Sequence, residues 1–102
     1  MSSCSARRAT SSFPPAEVAK FRTITADTLA KLNSGDQAAA TARITDLEKA
    51  WDDDQPTLQP TNQQAWTLLD GEIDRALKAL RASKPDKAAE VKALNTLLTA
   101  LG

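Results

Sequence analysis

Apolar residues recur in four separate stretches of this chain at three- and four-residue steps, the spacing that lines side chains along one face of an α-helix. The first stretch predicts a helix from about Pro15 to Leu32, with Val18, Phe21, Thr25, Leu29 and Leu32 on the stripe and Ile24 and Thr28 beside it. Asn33-Ser34-Gly35 predicts its end, because Asn and Gly accept the left-handed backbone found there. Asp36 is placed to cap a second helix, whose stripe is Ala40, Ile44, Leu47 and Trp51. Asp52-Asp53-Asp54 and Gln55-Pro56 predict its end, and Pro56 and Pro60 bracket a predicted loop. A third helix starts near Thr61 or Asn62, with Thr61 and Gln64 in capping-box spacing. Trp66, Leu69, Ile73, Leu77 and Leu80 form its stripe, with Ala76 alongside, and Pro85 predicts that it stops upstream. The fourth begins at Asp86 and carries Val91, Leu94, Leu98 and Leu101, with Leu97 at the edge.

The second and fourth stretches resemble each other. Asp36–Trp51 reads DQAAATARITDLEKAW and Asp86–Leu101 reads DKAAEVKALNTLLTAL. The cap, the Ala pair, Ile44 with Leu94, Leu47 with Leu97 and Trp51 with Leu101 coincide at one fixed offset. Upstream, Leu29 and Leu32 match Leu77 and Leu80 once two extra residues in the second turn are allowed. The chain reads as two copies of a helix–turn–helix unit. One hairpin alone cannot hide two apolar stripes from water, whereas two hairpins packed together bury four stripes in one core. The predicted fold is all-α: an up-down-up-down four-helix bundle built from two αα-hairpins over residues 14–102. Residues 1–13, rich in Ser, Ala, Thr and Arg, read as a disordered lead or linker.

Composition agrees. A length of 102 residues suits one domain, and few aromatics (4%) and 3 glycines favour helix over strand. Thirteen basic side chains balance 13 acidic ones, which gives no electrostatic drive towards nucleic acid. No apolar run approaches the roughly 20 residues of a membrane helix, so no membrane insertion is expected of the chain as given, and Arg7-Arg8 lacks the apolar stretch of a secretory signal. Cys4, the only cysteine, excludes an internal disulfide.

Candidate chemistry is sparse. The chain has no histidine, and with it go the commonest general base and metal ligand. Zinc, di-iron and phosphate-loop patterns are missing too. No catalytic residue, cofactor or metal is assigned, and the expectation is a non-enzymatic domain. Two surfaces invite attention. Trp51 and Trp66 fall at one end, where they either plug the core or line an aromatic pocket for a flat ligand under the proline-braced loop. Asp52, Asp53 and Asp54 crowd the same end, either as a solvated loop or as a dock for a basic partner. Arg75, Lys78, Arg81, Lys84, Lys87 and Lys92 gather at the other, which would suit self-association or partner docking between poles. Leu68 and Gly71 form a small outward face on the third helix.

From Thr23 onward, the SGD turn, ITDLEKAWDDD and AWTLLDGEIDRALKALRA resemble small uncharacterised bacterial helical domains. Such domains often follow a signal or membrane anchor. The resemblance implies an interaction or accessory domain placed outside the cytoplasm, and it carries over no functional residue.

Overall fold

The computed structural model describes residues 13–101. Four helices, and no strand, make up the described residues: α1 (Pro15–Asn33), α2 (Gln37–Thr61), α3 (Gln63–Leu80) and α4 (Lys87–Leu101). Each helix packs against its neighbours in sequence, and α1 closes the ring against α4. Lys20 bonds Asp54, while Asp27, nearer the other end of α1, bonds Arg43. These pairs run in opposite senses along α1 and α2, as an antiparallel hairpin requires. The protein is an all-α four-helix bundle. The predicted disordered lead, including Cys4, lies outside the described residues except for Phe13. That residue belongs to the core at 4% exposure.

Local rules set most of the boundaries. Pro14 and Pro15 open α1, where a missing N–H is harmless. Gly35 turns the chain with φ +88°, a backbone that only glycine takes freely. Asp36 caps α2 by accepting from the Ala39 N–H at 3.0 Å. Asn62, not Thr61, caps α3 by accepting from the Ala65 N–H at 3.1 Å. Thr61 is still helical, and its hydroxyl donates to the Thr57 carbonyl at 2.8 Å.

The largest departure is in α2. The helix does not stop at Trp51 but continues through the aspartates and both prolines to Thr61, so the predicted loop is helix. A proline removes one backbone bond and crowds the preceding turn. Here Asp52 and Pro56, whose carbonyls lose their partners, are exposed, so water can satisfy them. Leu58, one heptad beyond Trp51, is fully buried and holds this last part of α2 against the core. The dipole penalty expected of acids at a helix C-terminus disappears, because the helix continues past them.

The stripes of α2 and α3 are buried as predicted. In α1, Thr25 and Thr28 are also fully buried; their hydroxyls donate to the carbonyls of Phe21 and Ile24 at 2.8 Å, so neither is left unpaired. In α4 the buried face is rotated from the prediction. Glu90, Leu94, Leu97 and Leu101 face the core, and Val91 and Leu98 are half-buried. This register matches α2, where Ala40, Ile44, Leu47 and Trp51 hold the aligned positions.

Candidate functional site

Trp51 and Trp66 come together from α2 and α3. Their rings stack with centroids 3.9 Å apart and planes within 4°. Phe21 meets Trp51 edge-on at 5.3 Å. The Trp51 indole N–H donates to Asp70 at 3.0 Å, so burial leaves no orphaned donor. At 2% and 5% exposure these rings belong to the core. A flat ligand entering between them would have to separate rings already in contact.

The aspartate triplet does not converge. Successive helical residues point about 100° apart, and Asp52 and Asp53 lie exposed while Asp54 turns towards α1. Asp54 bonds Lys20 at 3.0 Å, and Lys20 also pairs with Glu17 at 2.7 Å. Desolvation pushes the Asp54 carboxyl up, but hydrogen bonding, from Glu17 when that carboxyl holds the proton and from the Lys20 ammonium, outweighs it and holds the group below its ordinary value. No group of three or more acidic, cysteine or histidine side chains among the described residues could hold a metal ion.

Three of the six basic residues, Arg75, Lys78 and Arg81, are engaged in ion pairs. Arg81 reaches across to α2, to Glu48 at 2.8 Å and the Thr45 hydroxyl at 3.2 Å. Its hydrogen bond lowers the Glu48 pKa and raises that of Arg81. Lys78 pairs with Asp74 at 3.2 Å, and Arg75 pairs with Glu72. In the first hairpin Arg43 bridges Asp27 at 2.9 Å and Asp46 at 3.0 Å. Lys31 and then Arg43 hold the Asp27 carboxyl below its ordinary value.

Two buried carboxylates escaped the sequence reading. Glu72 is 8% exposed and Glu90 is fully buried. The Gln37 amide donates to Glu90 Oε2 at 2.6 Å and leans towards the Thr41 hydroxyl at 3.3 Å. Glu90 Oε1 has no hydrogen-bond partner among the described residues. The available signal was the repeat alignment, which sets Glu90 opposite the core residue Ala40.

Two surface grooves flank α4. One, of about 300 Å³, runs between α3 and α4 and is lined by Glu72, Arg75, Ala89, Lys92, Ala93 and Thr96. The other, of about 260 Å³, lies against Ala19, Arg22, Thr23, Ala26 and Leu98. At one end of the first groove Leu68 is 54% exposed, one helical turn before Glu72. Gly71 stands beside it, with nothing within 4 Å of where a Cβ would lie.

Fold and surface together define a four-helix bundle with a buried aromatic stack and an open α3–α4 groove. Comparison with protein-family models, curated proteins and solved structures gives no match. No helix among the described residues is long and apolar enough to cross a membrane.

Proposed function

We propose that this chain is a non-enzymatic helical interaction domain that docks a protein partner, or a second copy of itself, on the outward face of α3. The observation that carries this reading is Gly71. A glycine inside a helix costs up to about 1 kcal/mol relative to alanine, and nothing in the fold requires one here, because a methyl group would meet open space. Beside it Leu68 is, among the described residues, the large apolar side chain left most exposed, at 54%. A missing Cβ next to an exposed leucine suits close approach by another backbone. Placement outside the cytoplasm rests on the sequence resemblance. The matching burial of α2 and α4 supports two copies of one hairpin as the origin of the bundle.

The test is site-specific photocrosslinking. A photoreactive residue at Leu68 is expected to capture one defined protein or a second copy, and the same residue at Thr45, an exposed position on α2, is not. Gly71→Arg should abolish the capture while the helical signal stays. Equal labelling from both positions, or none from Leu68, removes this reading.

A further inference from the structure

The two hairpins differ at one matched place. In the first, Arg43 fills the seam between α1 and α2 and is held by Asp27 and Asp46. In the alignment of Asp36–Trp51 with Asp86–Leu101, Ala93 stands opposite Arg43 and Thr96 opposite Asp46. The register that pairs Leu29 and Leu32 with Leu77 and Leu80 sets Arg75 opposite Asp27. The filler has been truncated to a methyl group, and the two acids that hold it in the first hairpin are replaced by a cation and a hydroxyl, with Glu72 the acid that remains. What remains is the groove of about 300 Å³ between α3 and α4, at the small end of the range for ligand sites.

Its polar groups have one sign to spare. Glu72 is spent on Arg75. A guanidinium has five N–H donors, so most of those on Arg75 remain for another acceptor. Lys92 stands exposed on the α4 side with three more. The Thr96 hydroxyl donates to the Lys92 carbonyl at 2.9 Å, so its proton is spent within α4 and the donors left for a guest are those of Arg75 and Lys92. Ala89 and Ala93 make the floor apolar. We infer that this groove is a binding site for a small amphipathic anion, an aryl or alkyl carboxylate or sulfonate. Its apolar body replaces the missing Arg43-like filler, and its charge lies between Arg75 and Lys92. The site is independent of partner docking at Leu68 and Gly71, and either can fail alone.

Naphthalenesulfonate is the probe, with naphthylmethylammonium of similar bulk as its charge-reversed control, followed by amide nuclear magnetic resonance on the whole chain. The sulfonate is expected to shift Ala89, Ala93 and Thr96 saturably, and the ammonium is not. Ala93→Arg, which restores the filler, should abolish saturation. Lys92→Glu changes only an exposed side chain and should weaken binding about tenfold or more, as loss of a charge-assisted bond does. Equal binding of both ions, shifts centred on Ala19, Ala26 and Leu98, or an unchanged affinity in Lys92→Glu would each overturn the site.

Discussion

The indoles of Trp51 and Trp66 lie face to face, 3.9 Å between centroids, and join the last predicted turn of α2 to the first turns of α3. Stacked indoles couple their electronic transitions. An exciton couplet is therefore expected in the circular dichroism spectrum, lost in both Trp51→Phe and Trp66→Phe while the helical bands persist. Trp66→Ala, which empties a core position, should cost about 3–5 kcal/mol in urea unfolding. A cost under about 0.5 kcal/mol would place the ring outside the core.

Leu58 decides whether residues 52–61 are helix. Leu58→Ala is expected to lose about 2–5 kcal/mol and to speed amide exchange from Gln55 to Thr61 more than elsewhere. Thr57→Ala, an exposed neighbour, should stay within about 0.5 kcal/mol of the parent. Uniform exchange along α2 in Leu58→Ala would show that this anchor is not what holds the segment.

Glu90, fully buried, and Gln37, half-buried, form a polar pair between α4 and α2. Removing one partner strands the other, so Gln37→Ala should cost about 1–3 kcal/mol. Replacing both with apolar groups removes the desolvation penalty as well. The double variant Gln37→Ala/Glu90→Met is therefore expected to be more stable than Gln37→Ala alone. The reverse order in denaturation midpoints would mean that the carboxylate is hydrated and the pair incidental.

Acid should loosen the bundle. Asp27, Glu48 and Asp54 have folded pKa values below their ordinary ones, and at neutral pH the cations that hold them there are Lys31 and Arg43, Arg81, and Lys20 respectively. A depressed pKa stabilises the fold above the unfolded value, and this contribution is lost as pH falls through the folded value. Stability is thus expected to hold at neutral pH and fall below about pH 4. The side chains of Asp27 and Glu48 are 40% and 38% exposed, so screening keeps each share small and salt should shrink it. Asp27→Asn should flatten part of the acid limb, and an unaltered limb would exclude that pair. Lys20 and Arg81, whose pKa values are raised, lose their contributions only in strong alkali.

Gly71→Ala has a definite sign. With open space around the new methyl, the variant should gain about 0.4–1 kcal/mol by reducing the freedom of the unfolded chain. Thermal unfolding that shows a loss would mean that the glycine has a role within the fold itself, and the docking proposal would lose its main support.

The sequence by itself determined four helices, the caps at Asp36 and the break at Gly35, and the buried stripes of α2 and α3. These follow from spacing and from backbone chemistry within a few residues. Tertiary packing decided the rest. Pro56 and Pro60 read as breakers because local rules charge for a lost bond and cannot see Leu58 reaching the core. Val91 and Leu97 are both apolar, so periodicity could not choose between two neighbouring faces of α4, and packing turned Glu90 and Leu97 inward. The candidate tryptophans were legible as residues, but their stacking is a contact between helices. The α3–α4 groove was not legible at all, since it exists only where Ala93 fails to fill a seam that Arg43 fills in the other hairpin.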